Sequence, residues 1–547
     1  MVEAGSEEAM TESLRELLPT LPSAVVVDLL SIGVCTRCVL RFLNVRSIDF
    51  AGSIPSPDLL LAELNSSSSS TSKKTNGNEK TSTAEMECEP TTAIELTNKI
   101  SEGMKNPCIV CLGALHMYIG DGSKHQIEQV ARKEGYVFDD FCLEASVPAI
   151  TVVRDRSLWL YLKKKYPKES MFAPQFETNS IVSLKEAIKW SVIAPLESML
   201  AAKFNSNALV RIALLYKHST SLTELNFINH SGGDAKRRRR GQEERTPSPA
   251  AGLAAVAAVR TAEAGESVAT VVRALATMTG DTFSRHFSSP PPRASTPCDR
   301  SIMCWRMPVF VGGRYLKFSR NISQSRWMID DERMGEGSVQ EVIGNAIFPY
   351  YKGDSYKFHA AGREDMDVRM LGPGRPFLLE ILNARNIPSS SEIAKLEGEI
   401  NSLKEGWVKV RELRQVGVEA CAIMREGEAE KQKEYAAVVW LSRPVTSEDF
   451  EALSSLKELE LQQKTPVRVL HRRSPLIRPR IIHWMRCEEI KDSPNYFLLF
   501  LCTQAGTYIK EFVHGDFGRT CPNVGSILNC QADILQLDVM DVKMDFH

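Results

Sequence analysis

The 547-residue chain has almost no excess charge of either sign: 67 Lys and Arg stand against 68 Asp and Glu, a net charge of −1. That balance excludes a uniformly basic nucleic-acid coat and an acidic tail protein, so any polyanion site must come from local clustering. No apolar run approaches the roughly 18 residues that a membrane span needs. The start, Met1-Val2-Glu3-Ala4-Gly5-Ser6-Glu7-Glu8, is acidic where a secretory signal is basic, and the apolar stretch Ala24–Ile32 carries Asp28 and no small-residue cleavage site. These absences indicate a soluble intracellular protein, nuclear and/or cytoplasmic, with no membrane partner. In a reducing compartment the 13 cysteines are expected to be buried, metal-bound or catalytic rather than disulfide-bonded.

At roughly 100–200 residues per domain the length suggests two to four folded units. Two stretches read as inserted or linking material. Residues 65–90 hold Ser66–Ser70, Lys73-Lys74 and few apolar side chains, a composition that cannot offset the entropy of ordering. Residues 229–300 are mixed: the basic run Lys236–Arg240, which reads as a nuclear-import signal or RNA-contacting tail, then an Ala-rich segment, 250–278, that suits a helix, then Pro290-Pro291-Pro292. This leaves an N-terminal region, 10–228, and a C-terminal region, 301–547. In the first, Ser183–Leu200 has helical spacing with Pro195 expected to bend or divide it, and Ala149–Val153 and Ala208–Tyr216 read as strands. In the second, Pro376–Leu382, Trp407–Leu413, Tyr435–Leu441 and Tyr496–Cys502 read as strands. Two helices interrupt them, one opened by the capping box Ser389-x-x-Glu392 and one near Thr446. Strands in the majority with helices laid against them indicate an α+β fold with a mixed sheet.

Cys35-x-x-Cys38 and Cys108-x-x-Cys111 form two paired turns. Each turn can aim two sulfurs at one tetrahedral metal, and two turns complete a four-cysteine zinc site that leaves the ion no open position, which makes its role structural. The competing reading is two pairs of buried free thiols.

From Lys464 to Arg486 come seven basic residues (Lys464, Arg468, Arg472, Arg473, Arg478, Arg480, Arg486) and no acid, interleaved with His471, His483 and Trp484. Arginine suits bidentate phosphate contact, and an aromatic among arginines can stack on an unpaired base. The plainer alternative is a solvated strand face paired with acids elsewhere.

The densest chemistry lies at Gly362–Phe377, where Arg363, Arg369 and Arg375 accompany Glu364, Asp365 and Asp367 among three glycines. Arginines beside a carboxylate keep it ionised, and an ionised Asp in a Gly-rich loop can serve as nucleophile or base. Further on, Gly506-Thr507-Tyr508-Ile509-Lys510 turns from a strand into a helix.

At these residues the C-terminal region resembles the pseudouridine synthases. Gly362-Arg363-Glu364-Asp365 fits the Arg-x-Asp loop, Lys433-Glu434-Tyr435 the Lys-x-Tyr that opens a strand, and Gly506–Lys510 the Gly-Thr-Tyr-Ile-Arg/Lys helix start, all in the expected order. Within the superfamily, Gly312–Trp327, Gly362–Phe377 and His514–Thr520 are similar to the archaeal and eukaryotic "Pus-ten" type, the tRNA synthases of T-loop uridines. The likeness covers nearly all of 301–547 with specific motifs. It rests on the cysteines and Arg41-Phe42 over 10–228, and does not reach 229–300.

The resemblance implies a pseudouridine-synthase-like catalytic domain at 301–547 and an N-terminal α/β, THUMP-containing RNA-binding domain at 10–228 with structural zinc on Cys35, Cys38, Cys108 and Cys111. It implies isomerisation of uridine in the T-arm of tRNA, at position 54, 55 or both, by flipping the base out of its stack and with no organic cofactor. Asp365 is the implied catalyst, as nucleophile or as base. Lys510 is its basic partner, Tyr435 stacks on the target base, Tyr508 and Ile509 line the pocket, and Arg363 helps extrude the base. The expected partner is tRNA, with other structured RNAs open, and the protein is expected to be a monomer. The rival from another class is a non-catalytic zinc-containing RNA-binding protein on a synthase fold. A methyltransferase or sulfur-inserting enzyme would need a Gly-rich nucleotide loop after a strand, and Gly372-Pro373-Gly374 opens no helix.

Overall fold

The computed structural model describes residues 21–45, 106–116, 121–169, 181–218, 223–229, 267–470 and 473–546, with a few positions between 56 and 62. The insert at 65–90 and the basic run Lys236–Arg240 lie outside the described residues. The chain divides into two compact units, Met1–Trp305 and Arg306–His547. No helix among the described residues is long and apolar enough to cross a membrane.

In the first unit, strands β1 (Asp140–Ser146), β2 (Lys203–Phe204), β3 (Val210–Lys217) and β4 (Asp299–Arg306) form one sheet in the order β2-β1-β3-β4. β1 runs parallel to both β2 and β3, so this unit is α/β. Both faces of such a pair need covering, and the long helices Ile150–Lys165 and Leu184–Leu200 supply Val153, Leu162, Ile188 and Val192 to the same core as Phe141, Leu143 and Ile212. The second helix opens on a Ser183–Glu186 capping box and runs on through Pro195, undivided.

Two readings are corrected here. Ala149–Val153 is the start of a helix: the β-branched run Ile150–Val153 carries on into Leu158, Trp159 and Leu162 at helical spacing. Of residues 229–300, those from 267 onward are folded, while 230–266, with most of the Ala-rich segment, lie outside the described residues. Helices Val268–Ala276 and Gly280–His286, capped by Ser267 and Thr279, bury Val271, Leu275 and Phe283 in the first unit's core. The Arg156 guanidinium donates to the carbonyls of Leu275 and Met278 where the first of them ends. Ala- and Pro-rich composition hides this apolar face in the sequence.

The second unit is α+β. It starts with β5 (Val309–Lys317), followed by two small ribbons, β6 (Ile322–Ser323) with β9 (Gly337–Ser338) and β7 (Met328–Ile329) with β8 (Glu332–Arg333). The large sheet joins β5 to β10 (Ser355–Ala360), β11 (Arg369–Leu382), β12 (Val408–Val416), β13 (Lys433–Leu441), β14 (Lys457–Lys464), β15 (Ile477–Glu489), β16 (Tyr496–Thr503), β17 (Thr520–Cys521) and β18 (Ala532–Val542). Their order is β12-β5-β11-β18-β13-β16-β15-β14-β17, with β10 beside β11. Among the described residues only β11–β18 is a parallel pair of this sheet, so the sheet is mixed.

The capping boxes at Ser389 and Thr446 start the helices Ser390–Asn401 and Ser447–Ser455 where the sequence placed them. β11 begins earlier than its sequence signal, because Gly372 and Gly374 lie inside it. Gly372 has φ 61°, and a Cβ there would stand 1.9 Å from the Met540 carbonyl oxygen, so the register shift between Met370 and Arg375 needs glycine.

Candidate active site

The loop 361–368 joins β10 to β11 and carries Arg363, Glu364, Asp365 and Asp367. Buried side chains hold it from beneath. Lys317, fully buried at the end of β5, donates from Nζ to the carbonyls of Ile322 (2.9 Å), Asp365 (3.2 Å) and Met366 (2.7 Å). Its burial pushes its pKa down to about 8. Arg375, on β11, lies 3.0 Å from the Glu364 carboxylate, both side chains at most 1% exposed, and donates from Nη1 to the Ala361 carbonyl at 2.7 Å. Tyr315 Oη donates to Glu364, and Gln324 ties Tyr315 Oη and the Gly362 carbonyl together at 2.8 Å each. Glu364, met by Arg375 and Tyr315, and the loop carbonyls, met by Lys317, Arg375 and Gln324, make a fixed platform, and Asp365 stands on it.

The remaining residues arrive from the other half of the sheet. Tyr435, near the start of β13, is half-buried, and burial pushes its phenol up to about 12, so it stays neutral. Tyr508 caps the helix Ile509–His514 without a side-chain bond of its own; its backbone is fixed on both sides by buried Gln463 of β14, which accepts from Tyr508 N at 3.0 Å and donates to Tyr508 O at 2.9 Å. Lys510 follows in the first turn.

One cleft of about 500 Å³ brings together all six residues singled out in the sequence: Arg363, Asp365, Tyr435, Tyr508, Ile509 and Lys510. Arg425, Arg473, Arg478 and Arg480 line it too, giving a wall rich in cations. His471 and Arg472 of the basic stretch lie outside the described residues.

The pairing within the cleft departs from expectation. Lys510 Nζ bonds both oxygens of Asp367, at 2.9 and 2.7 Å, and stands 3.8 Å from Asp365 Oδ2. Burial works against Asp367's charge, and the Lys510 hydrogen bonds overcome it, holding that carboxyl below its ordinary pKa. Asp365 instead accepts from Arg468 Nη1 at 2.8 Å. Arg468 sits on the short turn Val467–Val469 between β14 and β15. In the sequence it is legible only as one cation of the 464–486 run, because its acidic partners lie far away in the chain.

In the first unit, Cys35, Cys38, Cys108 and Cys111 are all buried, and their sulfurs lie within 4.8 Å of one another. Cys35 Sγ and Cys111 Sγ are 3.8 Å apart, the Cys35 N–H points at Cys108 Sγ (3.3 Å), and Arg41 Nη1 lies 3.5 Å from Cys38 Sγ. The two turns therefore meet, and the cluster can hold a metal ion.

The comparisons with known proteins agree over both units. The family model described as "Pus10, C-terminal" matches residues 310–543, and "Eukaryotic Pus10, N-terminal" matches 108–304. A Xenopus laevis protein named tRNA pseudouridine synthase Pus10 is 37% identical over 538 residues, spanning 96% of this chain and 97% of that one. The chain belongs to the Pus10 family. A human Pus10 protein of the same name is 36% identical over 446 residues, 81% of this chain and 79% of its own. With Pus10 membership comes the enzyme class, pseudouridine synthase, an isomerase. Among solved structures, a Cbf5-Nop10-Gar1 complex is similar over 41% of this chain and 47% of that one at 15% identity and a TM-score of 0.24, a level that carries no weight in the assignment.

Proposed function

We propose that this chain isomerises uridine to pseudouridine in the T-arm of tRNA, with Asp365 as the catalyst. The observation that carries the proposal is the meeting of Asp365, Tyr435, Tyr508, Ile509 and Lys510, drawn from separate parts of the chain, around one cation-rich cleft. In the reaction the N1–C1′ bond breaks, the base turns, C5 bonds to C1′, and the proton lost from C5 is balanced by one taken up at N1. Nothing is oxidised or reduced, and no organic cofactor is called for. An ionised carboxylate is suited either to attack C1′ or to take a ribose proton. Arg468 and Lys510 keep Asp365 in a cationic neighbourhood. A neutral, half-buried Tyr435 offers a face for stacking on the everted base, Tyr508 and Ile509 close the wall, and exposed Arg363 sits where the base leaves its helix. Arg473, Arg478 and Arg480 suit backbone phosphates.

The test is direct: protein is incubated with a T-arm transcript and with a matched transcript of another arm, and pseudouridine is scored by carbodiimide-blocked primer extension. Stops in the T-arm alone are expected. Folded protein that binds the T-arm transcript and leaves its uridines unchanged would favour the non-catalytic RNA-binding alternative.

We assign the four-cysteine cluster to structural zinc. A tetrahedral ion with bonds of about 2.3 Å to sulfur has edges of about 3.8 Å, as between Cys35 and Cys111. Four thiolates leave no position for substrate, so the ion's contribution is to folding. The first unit then serves as the THUMP-type RNA-binding accessory domain, in a monomer that works in nucleus or cytoplasm. Chelation is expected to raise amide hydrogen exchange around residues 35–42 and 108–115 while the second unit keeps its protection. Loss of protection in both units together would count against this division.

A further inference from the structure

Asp365 is approached by two cations, and they are not equivalent. Lys510 is committed to both oxygens of Asp367 and reaches Asp365 Oδ2 only at 3.8 Å. Arg468 donates from Nη1 to that same oxygen at 2.8 Å. Its Nε donates to Glu511 Oε1 at 2.7 Å, and the Glu511 side chain is 2% exposed. A guanidinium is planar and rigid, so anchoring Nε on a buried carboxylate also fixes the direction in which Nη1 points. Burial alone would lower the Arg468 pKa; the Glu511 hydrogen bond and the Asp365 charge raise it instead. The Tyr508 ring, 5.9 Å from Cζ, flanks the guanidinium. Among the described residues no group hydrogen-bonds Asp365 Oδ1, and the Asp365 side chain is 34% exposed.

From this geometry we infer that Arg468, aimed by Glu511, is the positioning residue that holds Asp365 by Oδ2 and leaves Oδ1 free for the nucleoside. The inference rests on the synthase reading of the cleft. A carboxylate on a loop turns freely about its own side-chain bonds even where its backbone is clamped. Pinning one oxygen removes that freedom before substrate arrives, and arginine stays charged at every working pH. Lys510, shared with Asp367, supplies charge but not direction.

The test uses the full chain, a T-arm transcript at saturating enzyme, single-turnover rates, and binding by fluorescence anisotropy. Arg468→Ala is expected to slow isomerisation roughly 100-fold, the scale of a small misplacement of a reacting group, with Kd within about threefold of wild type. Added guanidinium should restore part of that rate. Arg468→Lys, with one nitrogen where two are used, should fall between, and Glu511→Gln should lose about tenfold in rate. Circular dichroism identifies variants that fold. A wild-type rate in Arg468→Ala, a defect wholly in Kd, or guanidinium without effect on the folded variant would overturn the inference while wild-type turnover stands. Wild-type protein that binds the transcript and forms no pseudouridine would overturn both this inference and the reading beneath it.

Discussion

Asp365→Asn is expected to lower the rate of pseudouridine formation by at least about 10³-fold, the scale on which loss of a group central to the chemistry registers, while RNA affinity and thermal stability stay near wild type. Asparagine keeps the shape and can still accept the Arg468 hydrogen bond at its carbonyl oxygen, so little else in the cleft has cause to move. It removes the one property that attack or proton abstraction requires, an ionised oxygen. It also takes a negative charge out of a cation-lined cleft, so binding of RNA has no reason to weaken. The matched control is Asp367→Asn. Asp367 is the other carboxylate of the loop and the hydrogen-bond partner of Lys510, and its loss frees that lysine to move the short distance to Asp365. At most about a tenfold loss is expected there, the range of a surface ion pair feeding a neighbour. Single-turnover assays on T-arm transcripts compare the two. If Asp367→Asn is dead and Asp365→Asn turns over normally, the roles assigned to the two acids are reversed.

The second large effect falls on stability. Arg375→Met leaves the Glu364 carboxylate buried with its cation gone, and breaking a buried pair from one side costs about 3–5 kcal/mol. For a unit of this size that corresponds to a fall in Tm on the order of 10 °C. The double variant Glu364→Gln/Arg375→Met should regain most of it, since no uncompensated charge remains and Tyr315 keeps a hydrogen-bond partner. Thermal unfolding of wild type, the single variant and the double variant measures this. Equal Tm values for wild type and Arg375→Met would show that the pair contributes nothing.

Local signals in the sequence were reliable where the physics is local. The helices expected from Ser183 by spacing, from the Ser389 capping box and from near Thr446 start where expected, and the Tyr435–Leu441 and Tyr496–Cys502 runs are strands to within a residue or two. The errors share a cause. Ile150–Val153 has strand composition, and only the apolar positions a turn and more beyond it reveal a helix. Gly372 and Gly374 look like a turn, yet they carry a bulge inside a long strand because another strand's backbone passes against them. Lys317 carries no signal of its own in the sequence, and Arg468 is only one cation of the 464–486 run. One is buried under the loop that presents Asp365, and the other bridges Asp365 and Glu511. The motif residues themselves were legible because each motif is contiguous; what holds them in place was not, because it is assembled from pieces remote in the chain.

The meeting of the two cysteine turns has a consequence for how such chains can vary. Cys35 finds Cys108 and Cys111 across 73 and 76 residues. The entropy of closing a loop grows only with the logarithm of its length, so doubling that span would cost about 0.6 kcal/mol. With the proposed zinc acting as a clasp at its mouth, the intervening stretch is expected to be a tolerant place for insertion and deletion. A tag or fluorophore placed between residues 66 and 88 should leave the clasp, and the isomerase downstream, as they were.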